Sequence, residues 1–362
     1  MQEKCCKFKF HFPLQTFLYR VSAMNPIVSY IRSNTFERPT LVLDVDQVEE
    51  NYHRLKAGMP AAHIHYAVKA NPHPDILARL VTLGCRFDAA SIGEIDLCLA
   101  AGADPAHISF GNTVKRVQDI RDAYARGINL FAADASEELA KIAKYAPGSN
   151  VFIRVLMRST EAEWPLSRKF GCSSSMVIPL MHEAAAMELN PVGLSFHVGS
   201  QTRHPHMWYD SLDSVAAVWH NALEEGFDLS LLNIGGGFPT YYGVDVTELE
   251  EYGATVLEAV QERFGDVEYI MAEPGRGLVG NAGCIAAEAL LVERLPSKQN
   301  VASSNLVFRS KYFLWKGNGL CYGDLTGFRC CPVYCRQAGS ARLSCGMRTS
   351  PRVSMQIKTK PE

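Results

Sequence analysis

The runs HIHYAVKA (residues 63–70) and CRFDAAS (85–91) set the pattern of the whole chain. Each is a short apolar or β-branched stretch that closes on polar residues, and a helical stretch follows it. The pattern continues in HISFGN (107–112), NLFAAD (129–134), VFIRVL (151–156), GLSFHVG (193–199), LLNIGGG (231–237) and YIMAEPG (269–275). The first five begin about 22 residues apart, the span of one compact strand–loop–helix–loop unit. Between them lie stretches such as SIGEIDLCLAAG (91–102), with Ser91 as a cap and Gly102 as a stop. Eight such units over about 220 residues point to an α/β fold, a (β/α)8 TIM-type barrel, whose chemistry sits at the C-terminal strand ends. A doubly wound open sheet is the alternative, and it would gather function at one crevice.

The strand ends carry chemistry. Lys69 follows the apolar run Tyr66-Ala67-Val68, where desolvation would lower its pKa and suit it to Schiff-base work. Alone, it reads equally well as a lysine that reaches solvent or an ion pair. Gly235, Gly236 and Gly237 end a strand and let backbone N–H groups approach an anion, although a tight turn needs the same residues. Ser200 and the pair Gly275-Arg276 add a hydroxyl and a guanidinium, which completes a phosphate cup. Glu273 either pairs with Arg276 or faces a pyridine nitrogen and keeps it protonated. His197 is either a hydrogen-bonded core residue or a flat partner for an aromatic ring. Asp88, Glu94 and Arg154 form a structural ion-pair set or orient the lysine and a cofactor. A lysine, a phosphate cup and a carboxylate for a ring nitrogen are together what pyridoxal 5'-phosphate requires.

Four motifs carry a resemblance. YAVKAN (66–71), SFHVGS (195–200), GGGFP (235–239) and EPGR (273–276) resemble the ornithine decarboxylase family, the alanine-racemase-like pyridoxal-phosphate decarboxylases of basic amino acids. WPLSRKFG (164–171) is similar to its bacterial ornithine/lysine branch. The resemblance covers residues 38–295. It implies that Lys69 bonds the cofactor, that His197 stacks on its ring and that Glu273 partners its pyridine nitrogen. Ser200, Gly237 and Arg276 would hold the phosphate, and Asp88, Glu94 and Arg154 would form the charged surround. The implied reaction is decarboxylation of a small basic amino acid, L-ornithine to putrescine in polyamine biosynthesis, with lysine or diaminopimelate as alternative substrates. A racemase-like activity would need a second acid–base group. The family also implies a homodimer with shared active sites, and the four scattered cysteines of the body, with no secretory signal before them, read as reduced and cytoplasmic.

Composition bounds the rest. With 47% apolar and 20% charged residues, the chain is not disordered or fibrous, and a net charge of −2 gives no reason to expect nucleic acid. No apolar run is long enough for a membrane span. Charge is uneven: residues 296–362 carry 11 basic and 2 acidic residues, residues 1–23 carry a net +3, and 24–295 carry −14. Cysteines follow the same division: of eleven, five lie near the end, at 321, 330, 331, 335 and 345. They lack the paired spacing of a zinc site, so no metal is expected. The expected domains are an N-terminal extension at 1–37, the barrel at 38–295 and a basic Cys/Arg/Ser-rich tail at 296–362. The family's second, β-rich domain brings a Cys-Asp-Ser motif to the partner's active site, and that motif is absent here. The tail shows little strand alternation and reads as a non-native or disordered replacement for that domain. On that reading Thr40–Asp44 lacks strand partners. A truncated, non-catalytic pyridoxal-phosphate binder is therefore the alternative to an enzyme.

Overall fold

A computed structural model describes residues 26–157, 170–242 and 244–288, with the backbone of three strands at 312–316, 319–323 and 354–358. It contains two compact units. One spans Val45–Ala282, and the other combines the described residues up to and including Asp44 with the described residues of 283–358.

The larger unit is the expected barrel. Eight parallel strands close in sequence order: β2 (Ala62–Ala67), β3 (Arg86–Ala89), β4 (Ile108–Phe110), β5 (Leu130–Ala133), β6 (Asn150–Arg154), β7 (Asn190–Ser195), β8 (Leu231–Gly235) and β9 (Tyr269–Ala272). Every one falls on one of the eight apolar runs, and β9 pairs back onto β2 through Ala62↔Ile270. Ala132, Phe152 and Leu231 pack with Leu130, Val192 and Tyr269. Side chains from five strands can meet in this way only in the barrel interior.

Helices α2 (Val45–Gly58), α3 (Pro74–Thr82), α4 (Ile92–Ala100), α5 (Val117–Ala125), α6 (Ser136–Tyr145), α7 (Ser174–Ala186), α8 (Tyr209–Glu224) and α9 (Leu249–Phe264) surround the strands. Ser91 caps α4 by accepting the Glu94 N–H at 3.3 Å, as its sequence position suggests. The ring of helices closes where α2 meets α9. A Cβ on Gly58 would lie 2.0 Å from the Glu250 carbonyl oxygen, so that contact requires glycine.

In the smaller unit, β1 (Thr40–Asp44) pairs antiparallel with β10 (Gly283–Glu288) and parallel with β13 (Ser354–Lys358). Strands β11 (Tyr312–Lys316) and β12 (Gly319–Gly323) extend it to a five-stranded sheet in the order β12-β11-β10-β1-β13. Ile27, Val28 and Ile31 of α1 (Pro26–Ser33) pack against Val42, Cys284 and Ala286. This corrects one expectation: Thr40–Asp44 has a strand partner on each edge. The cause is pairing between segments more than 200 residues apart, which local alternation does not record.

Residues 1–25, most of the WPLSRKFG motif and four of the five late cysteines lie outside the described residues. Cys85, Cys98, Cys172 and Cys284 are free and buried. Among the described residues, no cluster of three metal-binding side chains occurs, and no helix is long and apolar enough to cross a membrane.

Candidate active site

The β2–β3 register sets Ala67 opposite Asp88, which brings the turn Val68–Ala70 beside that carboxylate. Lys69 Nζ donates to Asp88 Oδ2 at 3.4 Å. The lysine side chain is 57% exposed and the aspartate 3%. A Cβ on Gly111, at the end of β4, would meet Asp88 Oδ1 at 1.9 Å, so this glycine makes room for the carboxylate. Asp88 Oδ1 is buried without a hydrogen-bond partner among the described residues. The Asp88 charge, helped by Glu273, raises the Lys69 pKa above its ordinary value, and the opposing effects of burial and Arg154 are smaller. The expectation of a lowered pKa is thus corrected: an adjacent carboxylate outweighs desolvation at a half-exposed amine.

Glu273 follows β9, and its N–H donates to the Gly235 carbonyl at 2.8 Å. Its Oε1 accepts from Asn233 Nδ2 at 2.6 Å, and Asn233 Oδ1 accepts the Gly235 N–H at 2.8 Å. Burial, then repulsion from Asp88, pushes the Glu273 pKa up to about 7 against the pull of Lys69, Asn233 and Arg154. Glu273 therefore carries a proton for much of the time near neutrality.

His197, just after β7, accepts the Gly199 N–H at Nδ1 at 2.9 Å, which leaves Nε2 as the protonated nitrogen of a neutral ring. Burial, then Arg154 and Lys69, lowers its pKa to about 3. Arg154, at the end of β6, thus acts on all three groups, and its guanidinium lies 5.4 Å from the Phe170 ring centre. Gly236 separates His197 from Glu273. A Cβ there would sit 2.6 Å from the Glu273 carbonyl oxygen and 3.2 Å from His197 Nε2.

A second group adjoins the first. Arg276 Nη2 donates to Ser200 Oγ at 3.2 Å, and Nη1 donates to the Tyr242 hydroxyl at 3.3 Å. Gly237, at φ +127°, follows β8 beside Gly199. Gly275 packs against Ala67 and Ala70, next to the Lys69 turn. Glu94 stands apart in its bonding: its carboxylate accepts the Ala90 N–H at 2.7 Å at the start of α4.

The structure thus brings Lys69, Asp88, Arg154, His197 and Glu273 together, sets Ser200 and Arg276 in a second group, and leaves Glu94 bonded to the Ala90 peptide. Gly235 serves close backbone approach: its Cβ would lie 2.1 Å from the Phe196 carbonyl oxygen, at φ +70°. Sequence reasoning missed Asn233, Gln201 and Tyr242. For Asn233 the signal was present, as a polar side chain in the middle of the apolar run LLNIGGG.

Comparison with known proteins places the barrel. Residues 45–280 match the family model described as pyridoxal-dependent decarboxylase, pyridoxal binding domain. The chain belongs to this family. The matched span ends within two residues of the barrel unit. Among curated relatives, the lysine/ornithine decarboxylase of Selenomonas ruminantium is 35% identical over 248 residues, 67% of this chain and 62% of that protein. The ornithine decarboxylase of Schizosaccharomyces pombe is 32% identical over 308 residues, 85% of this chain and 66% of that protein. The chain thus spans slightly less than two thirds of these relatives' lengths. Among solved structures, the Vibrio vulnificus lysine/ornithine decarboxylase complexed with putrescine superposes with a TM-score of 0.65 at 27% identity, over 81% of this chain and 84% of that one. Lysine decarboxylase from Selenomonas ruminantium, at 24% identity, shares the fold with a TM-score of 0.70 over 93% of this chain and 96% of that one. This barrel of the pyridoxal-dependent decarboxylase family has these ionisable residues at the strand ends, where (β/α)8 barrels carry chemistry.

Proposed function

We propose that the chain holds pyridoxal phosphate at this site and takes part in the decarboxylation of a basic amino acid, L-ornithine to putrescine first and lysine second. The observation that carries the reading is the convergence, on one ring of strand ends, of an amine beside a buried carboxylate, a buried carboxyl with a raised pKa, a neutral imidazole and a hydroxyl–guanidinium pair. That donor set fits the cofactor: an amine for its aldehyde, an acid for its ring nitrogen, a flat partner for its ring and donors for its phosphate. Bound there, pyridoxal phosphate supplies an electron sink for the pair released when a carbon–carboxylate bond breaks.

The protein's part follows from the geometry. Asp88 Oδ2 holds Lys69 Nζ in place and stabilises its charge. Asn233 fixes Glu273, which keeps a proton at its carboxyl near neutral pH and can share it with a ring nitrogen. His197 stays uncharged and offers a flat face. Arg276 and Ser200, with the backbone at Gly237, meet a phosphate dianion. Arg154 tempers the negative charge of Asp88 and Glu273. Glu94 steadies the Ala90 peptide and so the end of β3. The relatives named above support the choice of ornithine and lysine. A homodimer with shared sites belongs to the same proposal and rests on family likeness alone, and a cytoplasmic location rests on the free, buried cysteines of the body.

Titrating the chain with pyridoxal phosphate while following the cofactor's absorbance tests the site. Wild type shifts the absorbance and Lys69→Ala abolishes the shift; a full shift in Lys69→Ala overturns the assignment. Release of carbon dioxide and putrescine from ornithine then tests the reaction, and the same assay with lysine ranks the substrates.

A further inference from the structure

We propose that Gln201 is a positioning residue for the anion cup: its side-chain amide locks the loop after β7 to the loop after β8, and this sets Ser200 and Gly237 at one phosphate. The inference rests on the reading of the site given above.

Gln201 follows Ser200 directly and is 3% exposed. Its Nε2 donates to the Thr240 carbonyl at 2.6 Å, and its Oε1 accepts the Thr240 N–H at 3.2 Å. The amide thus pairs with both backbone groups of Thr240, as a neighbouring β-strand would. One residue on, the Thr202 N–H donates to the Gly237 carbonyl at 3.0 Å, and the Thr202 hydroxyl donates to the Gly199 carbonyl at 3.3 Å. The Thr202 carbonyl accepts from the Tyr252 hydroxyl at 2.7 Å, and that hydroxyl accepts from Trp208 Nε1 at 2.7 Å. The two loops are laced together and braced from α9.

The backbone supplies an independent observation. Gln201 has φ +60°, the left-handed region that a non-glycine residue with a long side chain seldom adopts. Such a conformation persists only where its surroundings over-determine it, and the bidentate amide does so here. It turns the chain between Ser200 and Thr202, with Ser200 Oγ against Arg276 and the Thr202 N–H against the Gly237 carbonyl. Glycine would make this turn without strain, and it would lack the amide. No other role on the page needs both the strained backbone and the two bonds to Thr240.

The test compares the affinities of the full chain for pyridoxal phosphate and for pyridoxal, which lacks the phosphate. Gln201→Met keeps the volume and removes the amide, and Gln201→Gly relieves the backbone and removes the amide. Both variants are expected to lower the preference for pyridoxal phosphate over pyridoxal by about ten- to a hundred-fold, the scale of a lost charge-assisted hydrogen bond. Pyridoxal affinity should stay within about twofold, because the ring end of the site is untouched. Inorganic phosphate should compete more weakly in both variants. Equal falls in the two affinities would mark a merely structural residue and overturn the inference, as would an unchanged preference in either variant. Should wild type itself show no preference for the phosphorylated form, the anion cup fails and the inference fails with it. A wild-type preference that both variants retain sinks the role of Gln201 alone.

Discussion

Two lysines in the same barrel behave in opposite ways. Lys69, half in solvent beside Asp88, holds its proton more tightly than a free lysine. Lys115, in the connection after β4, has a side chain with 0% exposure and a pKa lowered to about 8. Lys115 is the better bonded of the two. Its Nζ lies 3.0 Å from Glu138 and donates to the Asn112 and Ala132 carbonyls at 2.8 and 2.7 Å. Burial nevertheless dominates, because desolvating an ammonium costs more than a shared ion pair returns. Glu138 also serves Lys141 at 2.5 Å, so two cations divide one carboxylate. The lysine with the lowered pKa therefore lies in a buried network outside the proposed site, and the lysine at the proposed site is the more basic.

Removing each amine sharpens the contrast. Lys115→Met breaks a buried network and should cost about 3 kcal/mol, the lower end for a broken buried pair because Lys141 still neutralises Glu138. Lys69→Met should cost less, about 2 kcal/mol: solvent already reaches the amine, but the buried Asp88 carboxylate loses its Lys69 partner. Equilibrium urea unfolding measures both, and a larger loss at Lys69 would break the comparison.

The same contrast marks what the sequence could reveal. All eight barrel strands were legible because each is an apolar run that stops at a polar strand end. Lys69, His197 and Glu273 were legible because a polar residue at such an end is conspicuous. The direction of the Lys69 shift was not legible. It depends on the register that sets Ala67 opposite Asp88, a pairing between strands rather than a property of either run. Asn233 and Gln201 stayed hidden for a related reason, since an amide shows its use only when its partner's position is known. The pairing of β1 with β10 and β13 was out of reach, because it joins the two ends of the chain.

Two buried ionisable groups at the site extend the comparison. Glu273, buried, has a pKa of about 7 in the folded chain, above the 4.5 of a free glutamate. Between these values the folded chain binds more protons than the unfolded one, so this group's contribution to stability falls as pH rises. It is fully present below pH 4.5 and lost as pH climbs through 7. His197 does the reverse: with a folded pKa near 3, its contribution grows as pH rises from 3 to 6.5. In the cofactor-free chain, Glu273→Gln should therefore gain on wild type by about 3 kcal/mol between pH 4.5 and 7. Urea unfolding of both proteins across that range checks it, and a constant difference would show that burial does not hold the Glu273 proton.

Glu94 should give the smallest effect. Its carboxylate is partly exposed, and its firm partner is the Ala90 N–H at the start of α4. The Glu94 N–H in turn donates to Ser91 Oγ, so the two side chains close the helix start between them, much as in a capping box. Glu94→Ala leaves one backbone donor unmet and should cost about 1 kcal/mol, whereas Glu94→Gln keeps an acceptor and should cost little. Cofactor affinity should stay within about twofold in the glutamine variant, because the group acts through the position of Ala90. A tenfold loss there, with stability unchanged, would instead place the Glu94 charge among those that the cofactor feels directly. It would then belong with Asp88 and Glu273, and helix capping would be the lesser part of what it does.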